Sequence, residues 1–301
     1  MRRRTFVTGA AAASAAPLAA AAAPVMMRMV HPSFGPPRTE GAPGALPMLA
    51  WRSMPAVAVM LNGKGPFTLG IDTGAPGYLH ISKAAAVAAG LTVTGSDLVS
   101  DPSGRNPVTV SRYRVDVLTL GGLKFHDFPA DELPMPSAGA GPPLEGVLGM
   151  DLFDALTLTL DFRRRQVATS AAPLPAGDGV GIVGYEPGPL IQLTVQIGDV
   201  TLPTHLDTGQ TRAPLIVPQE MVGRLATRGS PRKIGVARTV SQSMELYSIA
   251  LDAPVRVARV RLPVAEVAYP TPIPIANLGS AALQQMVVVI DRPNKRVQFV
   301  A

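Results

Sequence analysis

Apolar positions along this chain cluster in short runs cut off by Gly, Pro, Asn and Asp, a spacing that belongs to strands and turns more than to long helices. Ala56 to Leu61 and Pro66 to Ile71 are β-prone runs separated by Asn62-Gly63-Lys64-Gly65, residues that tolerate positive φ, so a hairpin is expected there. Tyr78-Leu79-His80-Ile81 forms a further short strand candidate. Ser82 can cap a helix over Lys83 to Ala89, and Gly90 can end it. Val108 to Thr119, the Gly121-Gly122 turn, Gly146 to Leu152 and Leu156 to Phe162 continue the strand-and-turn pattern.

The second half repeats the first. Leu190 to Ile197, a turn, and Val200 to Leu206 reproduce the first hairpin, and Pro218 to Ala226 reproduces the helix. Asp207 follows Asp72 by 135 positions, Leu215 and Val217 follow Leu79 and Ile81 by 136, and Gly279 and Asp291 follow Gly149 and Asp161 by 130. The closing words also correspond: Leu160-Asp161 with Arg165-Gln166-Val167, and Ile290-Asp291 with Lys295-Arg296-Val297.

Composition agrees with a turn-rich all-β chain. Of 301 residues 29 are Gly and 31 are Pro, and the apolar fraction of 47% is ample for a buried core. The absence of cysteine rules out disulfides, thiolate metal sites and cysteine nucleophiles. The four histidines, His31, His80, His126 and His205, are far apart and form no ligand motif, so neither a metal nor a cofactor is expected and they read as surface or turn polarity.

Residues 1–24 read as an export signal. Arg2-Arg3-Arg4-Thr5-Phe6 precedes a weakly apolar alanine-rich run, which resembles a twin-arginine leader and makes a poor membrane span. Its removal would take three arginines from the 27 basic residues, leaving 24 against 21 acids and lowering the net charge from +6 to +3. A bacterial periplasm or exterior is then the expected compartment. Without a dense basic stripe interleaved with aromatics, no nucleic acid is expected as a partner. Residues 25–48 and 171–189, rich in Pro and Gly, read as linkers flanking lobes at 49–170 and 190–301.

The chemistry-bearing words are Asp72-Thr73-Gly74 and Asp207-Thr208-Gly209, each at the end of an apolar strand candidate. A lone triplet of this kind is an ordinary turn. Two at matched places in a repeat bring two carboxyls to one point: the strand delivers each Asp, Gly permits an abrupt turn and Thr can hydrogen-bond to stiffen it. Neighbouring carboxyls do not both ionise readily, so one can act as general base on a water while the other, protonated, polarises a carbonyl; the pair is expected to titrate in two steps and to work best in acid. His205, two positions before Asp207, is either a perturber of that pair or an ordinary exposed polar residue.

The chain resembles the pepsin and retropepsin family of aspartic proteases, most closely the bacterial retropepsin-like members. The resemblance rests on Ile71-Asp72-Thr73-Gly74-Ala75 and Leu206-Asp207-Thr208-Gly209, with the downstream apolar-Gly elements Val147-Leu148-Gly149 and the looser Asn277-Leu278-Gly279. It covers about residues 49–301. It implies a bilobal pepsin-like fold with pseudo-twofold-related lobes, Asp72 and Asp207 as catalytic groups, and Thr73, Gly74, Ala75, Thr208, Gly209 and Gln210 as their supporting loops. By position Asp101, Pro102, Ser103, Gly104 and Arg105 look like the tip of a substrate-covering flap, with a second near Val236 to Tyr247. Peptide or protein substrates, no cofactor and a monomeric pseudo-dimer are implied. The sequence departs from the family at Gln210, where a small residue is usual, and at Pro76, and it lacks an obvious flap tyrosine. Gln210 keeps open a peptide-binding protein without hydrolysis, and coincidental turns in a structural β protein are a third reading.

Overall fold

The computed structural model describes residues 35–99, 108–133, 143–188, 190–238, 243–270 and 275–301. Strands dominate, with two short α-helices and two 3-10 turns among the described residues. Residues 1–34, which include the expected leader, lie outside them, as do the flap residues Asp101 to Arg105.

A nine-stranded sheet is built from the first half. Its central strands are Leu79–Ile81, Gly146–Leu148, Lys64–Ile71 and Met54–Leu61, in that spatial order. Gly146–Leu148 runs parallel to Lys64–Ile71 and antiparallel to Leu79–Ile81. Val108–Leu120 pairs with both Met54–Leu61 and Leu123–Glu132, and Leu123–Glu132 returns to Leu79–Ile81, so the strands close on themselves. The second half builds another nine-stranded sheet whose centre is Leu215–Ile216, Ala276–Gly279, Val200–Asp207 and Gln192–Ile197. The same parallel and antiparallel relations recur there. This sheet stays open, ending on the hairpin Val255–Val257 and Val260–Leu262.

A six-stranded sheet joins the halves through Thr157–Asp161 and Val287–Asp291, paired antiparallel with Leu158 opposite Ile290 and Leu160 opposite Val288. That register is unchanged when every residue is exchanged for the one 130 positions away. Leu158, Leu160, Val288 and Ile290 are fully buried, in one continuous apolar core with both large sheets.

Two segments expected as linkers contribute strands to these sheets. Within residues 25–48, Arg38–Gly41 pairs with Leu123–Glu132 and Ala45–Pro47 pairs with Gln166–Ser170. Within residues 171–189, Ile182–Gly184 pairs with Arg296–Val300. All three are edge strands, where Pro and Gly leave few ladder bonds unmade and composition resembles that of a linker.

Candidate active site

Strand Lys64–Ile71 delivers Asp72, and strand Val200–Asp207 ends on Asp207. The apolar-Gly elements pass under the turns that follow. Asp72 N–H donates to Leu148 O at 3.0 Å, and a Cβ on Gly149 would stand 3.0 Å from Ala75 O. On the other side a Cβ on Gly279 would stand 2.6 Å from Ala213 O, so both crossing points require glycine.

The two threonines tie the loops to each other. Thr73 Oγ1 donates to Leu206 O at 2.8 Å, and Thr208 Oγ1 donates to Ile71 O at 2.5 Å. Each hydroxyl also accepts the other threonine's backbone N–H, at 3.0 and 2.9 Å. Thr73 is 1% exposed and Thr208 0%, so these four bonds are shielded from water.

With the loops locked, each carboxyl lies against the opposite glycine. A Cβ on Gly74 would sit 2.7 Å from Asp207 Cγ, and one on Gly209 would overlap the Asp72 carboxyl. Only glycine leaves room for the pair. The two carboxyls interact directly, while Gly74 N–H donates to Asp72 Oδ1 at 2.8 Å and Gln210 N–H to Asp207 Oδ1 at 3.0 Å. Both carboxyls keep an opening to solvent, but the enclosing loops desolvate Asp72 strongly. Desolvation first, and the neighbouring charge of Asp207 second, push Asp72 up to about 8. The desolvated Asp72 carboxyl thus keeps its proton beyond the acid range in which the pair was expected to work.

The supporting residues divide their work differently in the two halves. In the first loop Asp151 Oδ2 accepts Gly77 N–H at 2.9 Å, and His80 Nε2 bonds to Pro76 O at 2.7 Å. In the second loop Gln210 does this within its own turn: Oε1 accepts the N–H groups of Arg212 and Ala213 at 2.6 and 3.1 Å, and Nε2 donates to Ala213 O. Ala281 occupies the place that Asp151 has in the first half, so Gln210 supplies the acceptor that the repeat lacks. Ala75 makes no comparable side-chain bond and instead adjoins an apolar cluster of Trp51, Met54, Leu144 and Val147.

Two side chains, His80 and Asn277, were not legible as part of this site. His80, expected as surface or turn polarity, and His205, read either as a perturber of the pair or as an ordinary exposed polar residue, are buried at 6% and 4% exposure. Burial pushes His205 below the usual imidazole range against the opposing charge of Asp207. Asn277 donates from Nδ2 to Asp207 Oδ2 at 2.7 Å. Its one signal in the sequence is a polar residue in an element that is apolar in the first half. The expected second flap corresponds to the antiparallel strands Thr227–Arg238 and Ser243–Leu251, described up to Arg238 opposite Ser243. The first is described up to Val99 opposite Val108.

Residues 57–152 match the family model for aspartyl proteases, a stretch that contains the first Asp-Thr-Gly loop and its crossing Val147-Leu148-Gly149 element. No curated protein gives a significant match to the chain.

Proposed function

We propose that this chain, a member of the aspartyl protease family through residues 57–152, is an endopeptidase that hydrolyses peptide bonds with a water activated between Asp72 and Asp207. The observation that carries this reading is the close carboxyl pair, each carboxyl against the opposite loop's glycine, held by the reciprocal Thr73 and Thr208 bonds. In the singly protonated pair, one carboxylate takes a proton from water as its oxygen attacks the peptide carbonyl, and the other donates its proton to the carbonyl oxygen. The first carboxyl then protonates the leaving amine while the second recovers its proton, and the C–N bond breaks. No covalent enzyme intermediate arises.

The matching strand relations, the exchange-invariant register of the joining sheet and the reciprocal threonines support two pseudo-twofold-related lobes meeting at this pair. Gln210, whose side chain is committed to the backbone of its own loop, gives no ground for preferring a binding protein without hydrolysis. The decisive assay is cleavage of an unfolded protein or an extended fluorogenic peptide, with pepstatin as inhibitor. Asp72→Asn and Asp207→Asn should each lower turnover by at least ~10³-fold. Undiminished cleavage in both variants would end this reading, and peptide binding without cleavage would leave a binding protein.

Export follows from Arg2-Arg3-Arg4-Thr5-Phe6: the enzyme works outside the cytoplasm after leaving through a twin-arginine route. Changing Arg3 and Arg4 to Lys should strand the chain inside the cell. Unchanged secretion would remove the assignment.

A further inference from the structure

The two halves are furnished differently behind their aspartates. Two positions before Asp72 stands Gly70, paired in parallel register with Val147. A side chain there would run into the thioether of Met54, so carbon and sulfur fill the space. Two positions before Asp207 stands His205, paired in the equivalent register with Asn277. Both are buried, Asn277 to 8% exposure. Backbone N–H groups serve both carboxyls, yet among the described residues only Asp207 receives a side-chain donor outside the pair, the Asn277 amide at 2.7 Å.

A donor of this kind binds an anionic oxygen more strongly than a protonated one, and more so where water is scarce. We infer that Asn277 is a positioning residue whose amide keeps Asp207 the proton-free member of the pair and leaves the shared proton on Asp72. This rests on the protease reading and assigns its roles. Asp207 takes the proton from the attacking water, and Asp72 gives its proton to the carbonyl oxygen; as the C–N bond breaks, Asp207 passes its proton to the leaving nitrogen and Asp72 takes one back from the hydroxyl that re-forms the carbonyl.

The other titratable groups around Asp207 fit this assignment. Asp72 faces it across the loops, and His205 stands behind it on its own strand, its ring held towards neutrality by burial. The crossing strands Gly146–Leu148 and Ala276–Gly279 bring no titratable side chain. Asp151, under the first loop, is engaged by Gly77 N–H and Arg292.

Two measurements on the full chain test this. The first follows the carboxyl carbons of Asp72 and Asp207 by NMR in protein labelled with ¹³C-carboxyl aspartate, each assigned with its Asp→Asn variant. At neutral pH Asp207 should appear as carboxylate and Asp72 as carboxylic acid, and the reverse order overturns the inference. The second compares wild type with Asn277→Val, which installs the residue of the first half, and with the nearly isosteric Asn277→Asp. Losing the donor should move the acid limb of the kcat profile up by about one pH unit and lower kcat about tenfold, with KM within about twofold. Asn277→Asp should move the limb further. An unmoved limb in a variant that melts like wild type and still cleaves overturns the inference. If wild type cleaves nothing, the protease reading fails, while the NMR order still decides where the proton resides.

Discussion

At the scale of single residues, the hydroxyls of Thr73 and Thr208 carry more of the site's geometry than any charge does. Each accepts one backbone N–H and donates to one backbone carbonyl of the opposite half, in a place without competing water. A buried donor or acceptor left without a partner costs about 1–3 kcal/mol. Thr208→Val keeps the shape but strands Thr73 N–H and Ile71 O, so it should destabilise the fold by about 2–4 kcal/mol in urea titration. Thr208→Ser retains the hydroxyl and should cost less than ~1.5 kcal/mol. Equal losses in the two variants would mean that packing of the methyl, and not the hydroxyl bonds, holds the loops together. Gln210 illustrates the converse, since a residue that departs from the small one usual in the family completes the hydrogen bonding of its own turn.

At the scale of elements, the helix and the hairpins were legible because their signals are local. Ser82 accepts Ala85 N–H at 3.1 Å, Gly90 takes φ 68°, and the helix runs over Lys83–Ala89 as its caps require. The turn Asn62-Gly63 adopts positive φ at both residues between Met54–Leu61 and Lys64–Ile71. The repeat placed Asp72 and Asp207 in corresponding positions because equal spacing in a strand-turn-strand pattern yields equal register. Its second helix shrinks to Gln219–Val222, where Pro218 supplies no side-chain cap. Edge strands escaped notice because Arg38–Gly41, Ala45–Pro47 and Ile182–Gly184 owe their strand state to a partner far away in sequence. The role of Asn277 was hidden for the same reason: its partner His205 stands 72 positions earlier, in a parallel register that no local pattern encodes.

At the scale of the whole molecule, bringing two carboxyls and an imidazole into one desolvated place ties folding to pH. Asp72 has a folded value of about 8, raised above its ordinary 3.8, so the folded chain holds a proton that the unfolded chain releases. Its stabilising contribution is complete below the unfolded value and is lost as pH rises towards 8, by up to about 1.4 kcal/mol per pH unit and less to the extent that solvent reaches the carboxyl. His205 acts in the other direction. Its value is lowered by burial, so the unfolded chain binds a proton that the folded one refuses, and stability drops as pH falls through the ordinary imidazole value of 6.5. Below that value the two slopes oppose each other. Between 6.5 and about 8 only the Asp72 slope remains, and thermal unfolding in that window should occur at progressively lower temperature as pH rises. Asp72→Asn removes the titrating group and should flatten the same window, whereas His205→Gln should leave it sloped and raise stability on the acid side. A wild-type melting temperature that holds constant across the window would show that the carboxyl pair gives up its proton well below 8. Cleavage should follow the same proton: a pair that stays singly protonated up to about 8 works at neutral pH and loses activity above it.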